Sequence, residues 1–348
     1  MRRGLMQWNP EELPRNALDA RLAHLREGLR AEKLDGFVTY TNIARGAAVA
    51  WLSGFQPYWN EGLFYVATGG DVPVFATALS KRVAEWIGSV MPVGEVQTTP
   101  KPALLIGQRI AHGSGKRIGI LELDDFPAGH AQLLLETAPG IELIDATSAF
   151  AKACAHVDDA ERNLLNHAAR LADAGLASID PAHTTSAQDL LGPCDEQARK
   201  GGAEECFATI APDLSQSASY LRTDTAGPLG KTFAVRSSLA YKATWVRRAR
   251  SFTSDPALAT QFAQAETALA AFKAPESGRL DAAIRAHFAG NGIEVRSWLA
   301  EQPRGGYPLT RVAGSNQGED VWQAGAPFVL DIELSLGGAR WLGAKLIA

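Results

Sequence analysis

Residues 18–147 alternate short apolar runs with segments of helical periodicity, and this alternation limits the fold more than any other feature of the sequence. Leu18, Leu22, Leu25 and Leu29 recur every three or four residues, as they would on one face of a helix. Further helices are predicted at 47–55, 81–90 and 103–113, and strands at 35–41, 63–68, 72–77, 117–123 and 141–147. Because strands that alternate with helices build layered sheets, this half predicts an α/β domain.

The second half of the chain has a different pattern, in which long helices stand apart from groups of strands. Helices are predicted over 158–179, 256–272 and 280–287, and strands over 206–212, 233–242, 244–252 and 327–335. The polar segment 194–205 is interpreted as a loop, with Glu204 and Glu205 in solvent. We therefore expect an α/β N-terminal domain over 1–153 and an α+β C-terminal domain, with a largely antiparallel sheet, over 154–348.

Composition argues against several classes of protein. The net charge of -4 and the pI near 6.0 give no overall attraction to nucleic acid or to an anionic membrane. The three cysteines include no CxxC pair, which argues against a disulfide framework and a structural zinc site. No apolar run approaches the roughly 18 residues that suggest a membrane span. We expect a cytoplasmic protein with no nucleic-acid partner and no membrane partner.

Four segments, in this order, resemble the creatinase, prolidase and aminopeptidase P family. They are RLAHLREGLRAEKLDGFVTYTNIARGAAVAWLSGF at 21–55, DDAERNLLNHAARLADAGL at 158–176, FAVRSSLAYKATWVRRARSF at 233–252 and AGAPFVLDIELSLGGARWLGAKLIA at 324–348. The resemblance spans nearly the whole chain. It implies a creatinase-like N-terminal domain, a C-terminal domain with the "pita-bread" fold, and a homodimer.

The resemblance fails at the residues that carry the chemistry. Metal-dependent members of the family hold two divalent ions with two Asp, one His and two Glu, and the second Asp follows the first by eleven residues. Aligned without gaps, this chain has Arg236 and Arg247 at the two Asp positions. Asp331 takes the place of the first Glu, and either Trp341 or Leu342 takes the place of the second.

The histidines of the family are also missing at the matching positions. Tyr220 stands where family members have a substrate-binding histidine, and no histidine follows His287. The segment RGGYPL at 304–309 matches the loop that carries the metal-binding histidine in the family. Arginine cannot ligate a metal cation, because its guanidinium stays protonated and has no lone pair to offer. We therefore expect neither a metal nor another cofactor.

Two guanidinium groups a few ångströms apart repel each other unless an anion lies between them. At about 4 Å and an effective dielectric constant near 20, a pair of unit charges interacts by about 4 kcal/mol. The anion could be Asp331 or Glu333, in an internal ion-pair network that fills the former metal site. It could also be a ligand, in an arginine-lined cleft. A third possibility is that the arginines point to solvent.

The candidate residues for binding an anionic small molecule or a peptide are Tyr220, Arg236, Arg247, Arg250, Asp331 and Glu333. The sequence favours a metal-free protein that is related to Xaa-Pro peptidases but lacks peptidase activity. One alternative is a metal-independent, creatinase-like hydrolase or lyase that acts on a small polar substrate. A true Xaa-Pro dipeptidase or aminopeptidase is the third hypothesis, and the missing ligands weigh against it.

Overall fold

A computed structural model describes residues 8–56, 61–113, 115–183, 186–276, 279–303, 308–315 and 325–348. The chain divides into two compact units, Met1–Glu161 and Arg162–Ala348. The boundary predicted between residues 153 and 154 stays a prediction. None of the described helices is both long enough and apolar enough to cross a membrane.

The first unit is an α/β domain, as the sequence predicts. Its elements, in chain order, are α1 (Arg15–Ala31), β1 (Gly36–Thr41), α2 (Ala47–Ser53), β2 (Gly62–Ala67), β3 (Val74–Thr77), α3 (Lys81–Val90), β4 (Glu95–Thr98), α4 (Pro102–His112), β5 (Arg117–Ile120), α5 (Ala128–Thr137), β6 (Glu142–Asp145) and α6 (Thr147–Ala155). Within the described residues, six strands form a mixed sheet in the order β4-β3-β2-β1-β5-β6. The four leucines that predicted α1 are all buried in the core of this unit. Gly54 ends α2 with a φ of 72°, a conformation that glycine adopts without strain.

The second unit combines helices with one antiparallel sheet. Its elements are α7 (Asp159–Ala177), which begins just before the division, α8 (Leu191–Lys200), β7 (Glu205–Ala211), β8 (Leu221–Arg222), β9 (Thr232–Tyr241), β10 (Thr244–Thr253), α9 (Pro256–Ala271), α10 (Leu280–Gly290), β11 (Glu294–Gln302), β12 (Thr310–Gly314), β13 (Phe328–Leu336) and β14 (Ala339–Ile347). Eight strands of the described chain lie in the order β12-β11-β13-β14-β10-β9-β7-β8. This arrangement confirms the predicted α+β class.

The apolar core fixes the orientation of strand β13. Phe328, Leu330, Ile332 and Leu334 are buried in the cluster that contains the apolar side chains of α9 and α10. Because successive side chains in a strand point to opposite faces, Asp331 lies on the other face. The apolar packing of β13 therefore determines which face of the sheet carries the acidic residue.

The interpretation of residues 194–205 as a loop is wrong. Residues 194–200 belong to α8, and Glu204 is only 3% exposed. Pairing of β7 with β9 places Glu204 beside the turn between β9 and β10, where its Oε1 accepts a hydrogen bond of 2.8 Å from the Lys242 amide. Its Oε2 is buried and has no hydrogen-bond partner among the described residues. Burial raises the pKa of Glu204 to about 7, against the opposing effect of the turn amides.

Candidate functional site

The register of the sheet brings Arg236 and Asp331 together from distant parts of the sequence. Arg236 on β9 lies opposite Ala249 on β10, and Ala249 lies opposite Ala344 on β14. Ala344 in turn lies opposite Asp331 on β13. Because the side chains of Ala249 and Ala344 are short, they leave room on this face of the sheet, and the long side chain of Arg236 extends over them toward Asp331. Its Nη1 lies 3.7 Å from Asp331 Oδ2.

Arg247 occupies the same face of β10, two residues before Ala249. It is 5% exposed and forms a close ion pair with Glu301 on β11. Its Nε donates a hydrogen bond of 3.3 Å to Ser238 Oγ, and its Nη1 lies 3.9 Å from Asp331 Oδ2. One oxygen of Asp331 is therefore shared by two guanidinium groups.

Arg236 is the more accessible of the two arginines. Its Nε donates a hydrogen bond of 3.2 Å to Thr209 Oγ1, and its guanidinium carbon lies 4.2 Å from the centre of the Tyr220 ring. Stacking of this kind stabilises a cation by about 0.5–2 kcal/mol. The side chain of Arg236 is 23% exposed, compared with 6% for that of Arg247. Arg247 is thus enclosed by protein, whereas Arg236 reaches a surface cleft.

The cleft beside Arg236 has a volume of about 330 Å³. Its polar lining includes Tyr220, Arg236, Ser297, Arg311, Asp331 and Glu333. The hydroxyl of Tyr220 is buried and has no hydrogen-bond partner among the described residues. A buried polar group left in this state costs about 1–3 kcal/mol. Burial raises the pKa of Tyr220 well above its usual value, and the charge of Asp331 adds to this effect, so the hydroxyl stays a neutral donor.

Burial away from water changes the pKa values of the carboxyl groups in the network. Burial raises the pKa of Asp331, while the charges of Arg236 and Arg247 act in the opposite direction. Burial also raises the pKa of Glu301, with Arg247 as its main opposing charge. Each carboxylate therefore depends on an arginine to remain ionised.

Positive charge exceeds negative charge around the cleft. Glu333 lies 3.4 Å from Arg340 and 4.0 Å from Arg296. Together with these pairs, the described cleft and its network contain five arginines and three carboxylates, an excess of two positive charges: Arg236, Arg247, Arg296, Arg311 and Arg340 against Glu301, Asp331 and Glu333.

The structure thus brings together five of the six candidate residues. Tyr220, Arg236, Arg247 and Asp331 are in mutual contact or share a partner, and Glu333 lines the same cleft. Arg250 lies elsewhere, because it has the opposite parity to Arg247 on β10 and points to the other face of the sheet. There it forms an exposed ion pair of 3.0 Å with Glu266.

The alignment left the second glutamate position open between two residues, and the structure separates them. Leu342 lines the cleft, whereas Trp341 is 1% exposed within the apolar core of the second unit. Residues 304–307 of the RGGYPL segment lie outside the described residues. Sequence reasoning missed Glu301, because no strand was predicted over 294–302. The available signal in the sequence was an acidic residue at the end of a short amphipathic segment. Its place in the site follows only from the pairing of β11 with β13.

The residues present do not fit a pair of divalent metal ions. Asp331, Glu301 and Glu333 supply the carboxylates at this point, and guanidinium groups engage all three. Among the described residues, no group of three or more His, Cys, Asp or Glu side chains is arranged to hold a metal ion. Two fixed cations beside Asp331 would also repel a metal cation.

Comparison with known proteins agrees with this architecture. The family model described as "Creatinase/Prolidase N-terminal domain" matches residues 21–153. No curated protein sequence matches the chain.

Several solved structures share the whole fold at low sequence identity. An Xaa-Pro dipeptidase from Bacillus anthracis is 14% identical with a TM-score of 0.66, and the match covers 95% of each chain. The prolidase from Pyrococcus horikoshii is 15% identical with a TM-score of 0.66, covering 94% of this chain and 95% of the other. An X-Pro aminopeptidase from Thermotoga maritima is 12% identical with a TM-score of 0.68, covering 92% and 95%. Residues 21–153 therefore match a creatinase/prolidase N-terminal domain, and the chain as a whole shares its fold with these peptidase structures.

Proposed function

We propose that this chain is a metal-free pita-bread protein that binds a small anionic molecule or a peptide carboxylate in the cleft beside Arg236, and that it does not hydrolyse peptides. The observation that carries the proposal is the sharing of Asp331 by the guanidinium groups of Arg236 and Arg247. By the resemblance, these two arginines occupy positions that hold metal ligands in the active peptidases. A site with this charge attracts anions.

The two arginines have different roles in this proposal. Arg247 is an internal counter-ion, because Glu301 and Ser238 already engage its guanidinium and its surroundings exclude water. Arg236 is the residue that contacts the ligand. Its ring partner Tyr220 and its hydrogen bond to Thr209 hold the guanidinium in one orientation, with part of its surface open to the cleft.

Three further features support an anionic ligand of small size. A planar guanidinium binds a carboxylate, phosphate or sulfate through two parallel hydrogen bonds. The buried hydroxyl of Tyr220 offers another donor in the same cleft. The volume of about 330 Å³ is near the lower end of the range for ligand pockets, which suits a metabolite or a peptide terminus.

Binding can be tested by calorimetry and thermal shift with sulfate, phosphate and acetate as probes. We expect Arg236→Gln to weaken binding of the effective anion about tenfold or more, because a charge-assisted hydrogen bond contributes about 1.5–3 kcal/mol. Arg250→Gln is the matched control, since Arg250 lies on the neighbouring strand but points to the other face. The proposal fails if none of the three anions binds, or if the two variants bind equally well.

Peptidase activity is tested separately. The purified protein is incubated with Xaa-Pro dipeptides and added manganese or cobalt, and its metal content is measured by elemental analysis. We expect no turnover and no stoichiometric metal, because the available carboxylates are paired with arginine. Metal-dependent turnover at a constant metal-to-protein ratio would overturn the proposal in favour of a true Xaa-Pro peptidase.

A metal-independent, creatinase-like hydrolase or lyase is the second candidate. The Tyr220 hydroxyl, which has no hydrogen-bond partner among the described residues, favours it, because it can donate a hydrogen bond to a substrate while the nearby Asp331 carboxyl group exchanges a proton. The excess of positive charge weighs against a guanidino substrate. Turnover of a small neutral amide that is lost in Tyr220→Phe would support this candidate.

The assembly and location of the protein complete the proposal. We propose a homodimer, as the family resemblance implies, which light scattering of the purified chain will test. A cytoplasmic location is proposed from the composition, and fractionation of the source cells will test it.

A further inference from the structure

We propose that an anion bound to Arg236 displaces Asp331 from that arginine, and that the Asp331 carboxylate then takes up a proton from the solvent. Each anion that binds would then bring up to one proton with it, and binding would strengthen as the pH falls. This inference rests on the proposed function, because it concerns the same cleft.

The geometry of Asp331 is the first reason. Its Oδ2 lies 3.7 Å from Arg236 and 3.9 Å from Arg247, so neither ion pair is a close contact. The pair between Arg247 and Glu301 is closer. An anion that binds Arg236 through two short hydrogen bonds would therefore compete with a longer internal ion pair. Arg247, already held by Glu301, cannot fully replace the lost partner.

The second reason is the shielding of Asp331 from water. Its side chain is 15% exposed, and the loss of a counter-ion at such a position strongly disfavours the charged form. Burial already raises the pKa of this carboxyl group, and the charge of Arg236 is the largest effect that opposes the rise. A bound anion neutralises that charge, so the pKa of Asp331 rises further and a proton enters.

Other charged groups around Asp331 do not replace Arg236. Glu301 on β11 is negative and raises the energy of the charged Asp331. Glu333, on the same strand, pairs with Arg340 and Arg296, and Tyr220 is neutral. Arg311 on β12 lines the cleft but has an exposed side chain, where water screens its charge.

Proton uptake can be measured directly by titrating the full-length protein with sulfate in a calorimeter. The titrations use several buffers of different ionisation enthalpy, all at the same pH between 6 and 8. Sulfate does not change its protonation in this range, so any dependence of the heat on the buffer reports protons bound by the protein. We expect between a few tenths and one proton per sulfate, with an affinity that rises by up to tenfold for each unit of decrease in pH.

Two variants in the same strand locate the proton. In Asp331→Asn the competing carboxylate is absent, so sulfate should bind several-fold more tightly near pH 8 and without proton uptake. Glu333→Gln removes a carboxyl group from the same cleft that does not pair with Arg236, and proton uptake should persist. If Asp331→Asn does not fold, the buffer series on the unmodified protein and on Glu333→Gln still decides the question.

The possible failures can be told apart. Sulfate that binds with a heat independent of the buffer and an affinity independent of pH overturns this inference and leaves the proposed function standing. Proton uptake that survives in Asp331→Asn also overturns it, because another group would then carry the proton. If sulfate, phosphate and acetate all fail to bind, the proposed function and this inference fail together.

Discussion

Asp331 and Glu204 are two largely buried carboxyl groups of the second unit that are stabilised in different ways. The guanidinium groups of Arg236 and Arg247 share the carboxylate of Asp331, which also borders the cleft. Glu204 is held mainly by backbone amides of the turn between β9 and β10, and one of its oxygens has no partner among the described residues. Burial raises the pKa of both groups, but the opposing effects differ: the charges of Arg236 and Arg247 act on Asp331, whereas mainly backbone amides act on Glu204, whose pKa reaches about 7.

The largest effect is expected from Asp331→Ala, which removes the shared anion from between two arginines. Breaking a buried ion pair by removing one partner typically destabilises a protein by about 3–5 kcal/mol, because a charge is left buried. Urea unfolding at pH 7 measures the loss. Glu333→Ala is the control, and it should cost markedly less because its partners Arg296 and Arg340 are more exposed than Arg236 and Arg247. A change below about 0.5 kcal/mol for Asp331→Ala would contradict the network.

A pH-dependent effect is expected from Glu204. Its pKa is about 7 in the folded chain and near 4.5 when unfolded, so the folded state binds a proton more tightly. The stability that this proton provides is complete below pH 4.5 and is lost as the pH rises through 7. At 1.36 kcal/mol per pKa unit, the loss is about 3 kcal/mol. Unfolding of Glu204→Gln, measured from pH 4 to 8, should not show this component.

Equal pH dependence in the wild type and in Glu204→Gln would show that the amides of the turn compensate for burial of the charge. Asp331 and Glu204 would then be stabilised to the same degree, and the comparison between them would fail.

The two arginines of the network should differ in their effect on stability. Arg247→Gln leaves Glu301 buried without its closest counter-ion, and we expect a loss of about 2–4 kcal/mol in the free energy of unfolding. Arg236→Gln should lose about 1 kcal/mol, because its side chain is partly solvated and its ion pair is longer. Chemical denaturation of both variants tests the order. Equal losses would mean that Arg236 is as structural as Arg247.

The smallest effect is expected in the turn that Glu204 supports. Ala243 has a φ of 62°, in the left-handed region where a residue with a Cβ is strained. Ala243→Gly should relieve this strain and stabilise the protein by about 0.5 kcal/mol, after the greater freedom of glycine in the unfolded chain is allowed for. Ala240→Gly, in the adjoining strand, is the control and should destabilise. Thermal unfolding compares the two variants.

Local patterns in the sequence were sufficient for much of the fold. The leucine spacing of α1, the buried strand β1 and the left-handed glycine after α2 follow from the sequence alone. Helices α5 and α6 were not predicted, and α8 was interpreted as a loop. In α5 the structure buries only Leu134, so no apolar stripe marks the helix. A loop was predicted in place of α8 because proline at 193 and glycine at 201 and 202 are residues typical of turns.

By itself, the sequence determined the α/β and α+β classes of the two halves and the positive charge of Arg236 and Arg247, because apolar periodicity is local and arginine is always protonated. Only the tertiary structure decided which charges meet. Glu301 and Asp331 reach the arginines because β11, β13, β14, β10 and β9 lie side by side in one register. Long-range pairing of strands depends on contacts between residues far apart in the chain, and no local pattern of residues contains that information.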